Sequence, residues 1–218
     1  HISTLYDYDL VSGNVKKVTY QKGKLDQFMH RYAYDADNRI TEVETSSDGM
    51  MWENDASYFY YNHGPLARTE IGNRKVQGID YAYTIQGWIK GVNSEELAQG
   101  FDMGRDGGST STLSPVNSQI GRDAFGYSLS YFDGDYKSRI AGADNFLTHS
   151  TAHASSSANL YNGNIRDMYT AIMKNNETPV VSHKDLLIKK LARIMKITTA
   201  LLLLVCMQVS AIGFSQSR

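Results

Sequence analysis

The chain has 218 residues with 15 Tyr, 18 Gly and only 3 Pro, a composition that favours strands joined by glycine turns over a helical bundle or a disordered polymer. Its formal net charge of −1 conceals an asymmetry, with +5 on residues 183–218 and −6 on residues 1–182, and an acidic β region has no electrostatic footprint for nucleic acid. The single cysteine, Cys206, excludes an intrachain disulfide.

Tyr-x-Tyr pairs recur at Tyr6/Tyr8, Tyr32/Tyr34, Tyr58/Tyr60 and Tyr81/Tyr83, in steps of 26, 26 and 23 residues. Aromatics at i and i+2 lie on one face of a strand. Each pair is followed by a polar turn and a second short strand pattern: Gly13-Asn14-Val15, Asp37-Asn38-Arg39-Ile40, Gly64-Pro65-Leu66 and Gly87-Trp88-Ile89. Asn and Gly tolerate the positive φ that such turns need, so the unit is a β-hairpin. A lone hairpin is marginal in water, and stacking its copies pairs the free edges. Residues 1–93 are therefore expected to form repeated antiparallel hairpins in an extended twisted sheet, with Tyr8, Tyr34, Tyr60 and Tyr83 at equivalent positions.

The run Tyr32-Ala33-Tyr34-Asp35-Ala36-Asp37-Asn38-Arg39-Ile40-Thr41-Glu42-Val43 resembles the YD repeat of Rhs-type proteins. Three weaker copies stand in register with it, carried by Tyr8-Asp9, by Tyr61-Asn62 with Gly64 and Arg68, and by Thr84 before Gly87-Trp88. Segments 83–93, 123–132 and 159–165 are also similar to stretches of large surface Rhs-type proteins. The resemblance covers roughly residues 1–175 and implies a structural role. Such proteins wind hairpins into an exported shell, some enclosing a toxin, and some YD proteins are surface adhesins thought to bind glycans. On this reading the chain, which opens at His1 in mid-strand, is a piece of a larger assembly whose partners are neighbouring YD repeats, at the cell surface or outside a Gram-negative bacterium. The family's aspartyl self-cleavage signature has no counterpart here, so neither autoproteolysis nor an enclosed toxin is expected.

Residues 94–122 break the pattern and read as a flexible loop insertion, with Gly104 to Thr112 rich in Gly, Ser and Thr and at most one helical turn at Glu95 to Ala98. The strand signal returns over 123–175, around Phe125 to Phe132 and again beside the Asn162-Gly163 turn. Residues 176–218 read as a basic and then apolar helix, its pattern starting at Lys184. From Met195 onward the tail resembles the signal peptide of a TonB-dependent outer-membrane receptor, as though a second reading frame had been joined on. The alternative is a membrane anchor, because Ile197 to Phe214 as a helix spans roughly 27 Å, close to a bilayer core. Membrane association through this helix is expected in that case.

No nucleophile, base and orienter converge in the sequence, so an enzyme is not expected, nor is a cofactor. His149 and His153 have zinc-helix spacing, but Ser150 stands where the catalytic Glu belongs. Asp35 to Asn38 starts like a calcium loop and then places Arg39 where a ligand belongs; it reads as a turn. Glu95 with Glu96, and Asp133 with Asp135, read as solvated acids. Trp52 and Trp88 are the candidates for stacking on a sugar ring. The leading function is a non-catalytic shell or surface segment, with a glycan-binding adhesin module and a membrane-anchored piece of a toxin-delivery protein as alternatives.

Overall fold

Aromatic and β-branched residues with period-2 alternation, cut by Asp, Asn and Gly, leave the backbone one economical pairing, in which each strand folds back on the last. A computed structural model describes residues 1–98, 100–107, 117–138, 146–147 and 158–173 and the backbone of 180–185. They form β1 (Thr4–Tyr8), β2 (Val15–Tyr20), β3 (Phe28–Tyr34), β4 (Ile40–Ser46), β5 (Glu53–Tyr60), β6 (Leu66–Ile71), β7 (Gln77–Tyr83), β8 (Ile89–Val92), β9 (Phe125–Ser130), β10 (Asp167–Ile172) and β11 (Val180–Asp185). The strands make one sheet in sequence order, every neighbouring pair antiparallel. There is no helix among the described residues.

The expected equivalence of the tyrosines holds to the residue. Tyr8 pairs with Val15, Tyr34 with Ile40, Tyr60 with Leu66 and Tyr83 with Ile89, and in each hairpin the register then slips by one residue. The slip leaves Lys16, Thr41, Ala67 and Lys90 as the extra residue of a bulge. The turns also match. Asn38, Gly64 and Gly87 close an i to i+3 bond at φ 61°, 118° and 82°, and the flanking amide of Asp35, Tyr61 or Thr84 donates to the carbonyl four residues on. This is a type I turn ending in a left-handed residue. The first turn, Asp9 to Asn14, has one residue more and puts Gly13 at φ 75°.

A second regularity joins hairpin to hairpin. The Tyr34 hydroxyl donates to the Val15 carbonyl at 2.8 Å and the Tyr60 hydroxyl to that of Ile40 at 2.7 Å. Tyr131 donates to Ile89 at 2.8 Å in the same relation, since Gly91 pairs with Ser128. Tyr131 is thus the next copy of the repeat tyrosine, displaced 48 residues from Tyr83 by the intervening chain.

Directly opposed residues share a face, which divides the sheet in two. One face carries Tyr6 with Val18, Tyr32 with Val43, Tyr58 with Thr69 and Tyr81 with Val92. The other carries a charge ladder, including Asp7 with Lys17 at 3.1 Å and Arg31 with Glu44 at 2.6 Å. At β7 to β9 that second face shrinks to Ala82, Gly91 and Ser128, and into this trough Phe146 and Glu95 descend. Phe146 and Leu147 pack on Ala82 with Met103 and Tyr136 beside them, forming the only buried apolar cluster of the described residues.

Two expectations change. Val180–Asp185 is a strand on the β10 edge, where the sequence pattern starts a helix at Lys184; the unpaired β10 backbone and the β-branched Val180-Val181 favour pairing there. Glu95 is fully buried rather than solvated, and Asp135 is 8% exposed and ion-paired to Lys90 at 2.9 Å. The remainder of the tail helix, from 186 onward, and the His149/His153 pair lie outside the described residues. No described helix is long and apolar enough to cross a membrane.

Replacing Tyr60 by Phe removes one hydroxyl-to-carbonyl bond and leaves the ring, so the unfolding free energy should fall by about 1 kcal/mol in urea denaturation. An unchanged midpoint would mean that the inter-hairpin bond adds nothing.

Candidate functional site: a buried aspartate cluster around Arg68

Arg68 stands on the charged face of β6, directly opposite Asp80 on β7 and two residues from Glu70. Its guanidinium pairs with Asp80, with Asp106 at 2.6 Å and with Glu70 at 3.2 Å. Asp106 comes from the chain between β8 and β9, where Asp102 folds the loop by accepting the amides of Gly104 at 3.0 Å and Asp106 at 2.5 Å. Asn117 ties the same loop down by donating to the Gly104 carbonyl at 2.7 Å. Asp123, just before β9, accepts from Gln77 at 2.9 Å, and the Gly121 amide reaches the Lys75 carbonyl at 3.1 Å.

Two glycines make room for the guanidinium. A Cβ at Gly78 on β7 would overlap the Arg68 guanidinium and Asp106, and one at Gly104 would overlap Arg68 and Asp80. The arginine is therefore clasped between sheet backbone and loop backbone, a space that any side chain at either position would close.

The cluster's electrostatics follow from burial. Burial pushes Asp80 up to about 6 despite Arg68. It raises Asp106 as well, and it raises Asp123 well above the usual carboxylate range, with Asp102, Asp106 and Asp80 adding to the effect. Glu70 goes the other way, because Lys75 at 2.8 Å and Arg68 outweigh its burial. Burial alone would lower Arg68, and the two aspartates reverse that. One oxygen each of Asp106 and Asp123 is buried with no hydrogen-bond donor among the described residues. Among the described residues no group of three or more His, Cys, Asp or Glu side chains is placed to hold a metal ion.

Trp52 and Trp88, chosen from the sequence, are not brought together. Trp52 lies at the β4–β5 connection and Trp88 in the β7–β8 turn, at opposite ends of the strands. The Arg31 guanidinium lies over the Trp52 ring at 4.3 Å from its centroid. Trp88 packs on Tyr131 with centroids 5.0 Å apart, and a Cβ at Gly163 would sit 3.2 Å from its ring. A groove of about 460 Å³ beside the turns is lined instead by His63, Tyr83, Thr84, Tyr136 and Lys137.

Sequence reading missed the Arg68 cluster because its members are far apart in the chain. The one local signal was Asp106 between Gly104 and Gly107, which composition assigned to a flexible loop. A scan of protein-family models and a search of curated proteins gave no match to this chain.

Replacing Gly104 by Ala should destabilise the chain by about 1–3 kcal/mol, the range for overpacking a filled site. Replacing Arg68 by Met should cost roughly 3–5 kcal/mol, because it leaves buried carboxylates unpaired. Chemical denaturation measures both, and a cost below 0.5 kcal/mol for either would place the cluster outside the cooperative core.

Proposed function

We propose that the chain is a non-catalytic structural segment of an exported Rhs/YD-repeat shell or surface protein, its hairpins continuing a longer array. The observation that carries this reading is the register, in which a bulge and a turn recur through four hairpins and a cross-hairpin tyrosine bond recurs at Tyr34, Tyr60 and Tyr131. An enzyme needs a convergent polar constellation facing solvent. The convergent constellations around Arg68, Lys90 and Arg166 are built on ion pairs, and the carboxyl groups around Arg68 and Lys90 are buried. An array element needs identical edges, and β1 offers one: all five of its residues are exposed, with its outer edge unpaired.

A second reading, a glycan-binding surface module, is favoured by the groove at His63, Tyr83 and Tyr136, where rings and hydrogen-bonding groups line one concavity. Trp52 and Trp88 would be secondary to it, since each ring already carries a protein contact. Cell-surface placement is drawn from the sequence resemblance, and a membrane role of the tail from the apolar run Ile197 to Phe214.

Fusing a copy of residues 28–46 ahead of His1 should add a hairpin in register, raise the urea midpoint and suppress self-association through the β1 edge. A fusion that leaves both unchanged would argue against the array. The purified chain should turn over no glycan or peptide substrate, and saturable glycan binding lost on Tyr136→Ala would favour the second reading.

A further inference from the structure

We propose that the Arg68 cluster is a proton-operated latch: carboxyl groups shared between the sheet and the chain carrying Asp102, Asp106 and Asp123 hold that chain down when protonated and loosen it when ionised. Charge is mismatched in the cluster. Facing one another here are Arg68 and Glu70 from β6, Lys75 from the following turn, Asp80 and the neutral Gln77 from β7, Asp102 and Asp106 from the inserted loop, and Asp123 ahead of β9. Arg122 spends its guanidinium on the Leu97 carbonyl, and Arg105 is exposed. Among the described residues two cations thus meet five carboxyl groups.

Hydrogen bonding supplies a second, independent reason. Asp123 is 4% exposed, and its Oδ2 has no donor among the described residues, while Asp102 lies within hydrogen-bonding reach of the Asp123 carboxyl group. Two carboxylates cannot bond to each other, and a single proton turns the contact into a strong acid-to-carboxylate bond. Asp106 Oδ2 is likewise buried without a donor among the described residues. The loop that Asp102 organises is tied to the sheet by this cluster, by the Gly121 to Lys75 bond and by Met103 beside Ala82 and Phe146, so loss of the proton weakens one of its ties.

The direction with pH follows. Asp80, Asp106 and Asp123 have folded values raised above the ordinary carboxylate range. Their stabilising effect is fully present below about pH 4 and is lost progressively as pH rises from there to the folded values, the Asp80 share being gone above about 6. The hairpin turns behave oppositely. Asp35 and Asp9 are held low, Asp35 first by the Arg39 amide and Asp9 first by Lys16, so the turns keep their stability throughout this range and lose it only in stronger acid.

Hydrogen exchange on the full chain from pH 4.5 to 8, corrected for intrinsic exchange, tests the latch. Protection of the Gly121 and Asp106 amides should fall by at least about ten-fold, the change that one linked proton gives per pH unit. The Asn38 amide in the second turn should stay level. In Asp123→Asn the amide side chain supplies a permanent donor without charge, so more protection should be retained at pH 8 and the slope with pH should shrink to what Asp80 and Asp106 leave. A flat wild-type profile overturns the proposal, as does an unchanged slope in Asp123→Asn. Millimolar calcium restoring wild-type protection at pH 8 also overturns it, by making the cluster a cation site. Should Asp123→Asn fail to fold, the same comparison is made with Asp106→Asn.

Discussion

A β-hairpin leaves a row of backbone donors and acceptors unpaired on each side, and the organisation of this chain answers that single constraint. Pairing β2 with β3, β4 with β5 and β6 with β7 satisfies the rows, but pairing alone leaves the register free to slip. The tyrosine hydroxyls remove that freedom. Tyr34 can reach the Val15 carbonyl only when Lys17 faces Arg31, and a slip of one residue would carry the ring to the other face of the sheet. The bulge after each turn belongs to the same device, since it brings the next aromatic back onto the face from which the previous one left.

Fixing the register also fixes where charge falls. With the tyrosines on one face, the residues between them occupy the other, and there Asp7, Lys17, Arg31 and Glu44 neutralise one another in the open. Exposed pairs of this kind contribute little to stability. Arg68 occupies a place in the same ladder, but the chain between β8 and β9 covers it, and covering changes the energetics. A guanidinium taken out of water needs carboxylates within reach, and Asp80, Asp106 and Glu70 provide them. It also needs space, which Gly78 and Gly104 provide by having no side chain. The same logic recurs at Lys90 with Asp135, and at Arg166, which pairs with Asp167 and Asp133 at 2.8 Å each.

The hairpins were legible in the sequence because their determinants are local. Tyrosine spacing, the Asp or Thr that opens a turn and the Asn or Gly at its left-handed position all lie within about a dozen residues of one another, the scale on which turn chemistry operates. The buried polar clusters were not legible, for a corresponding reason. Glu95 is buried because Ala82, Gly91 and Ser128, from three strands, leave a trough where they stand side by side, and Ser128 donates to it from 33 positions away. Nothing near Glu95 in the sequence announces that trough. Val180–Asp185 was lost differently, since the apolar pattern that begins beyond it dominated a window in which the free edge of β10 had no voice.

The inserted chain between β8 and β9 shows how such a sheet accommodates change. Tyr131 follows Tyr83 by 48 residues, about twice the earlier step, yet it bonds to Ile89 as Tyr60 does to Ile40. The array therefore resumes its register after the interruption, and the extra residues, where described, lie over the charged face. That placement is physically selective. On the tyrosine face an insertion would meet rings set by the repeat; on the charged face it meets groups that gain partners by being covered, provided it brings carboxylates of its own. An insertion without Asp102 and Asp106 would bury Arg68 at a loss. The acids in this loop are thus a condition of its docking, and the excess of carboxyl over cation that they create follows from how the sheet distributes its faces.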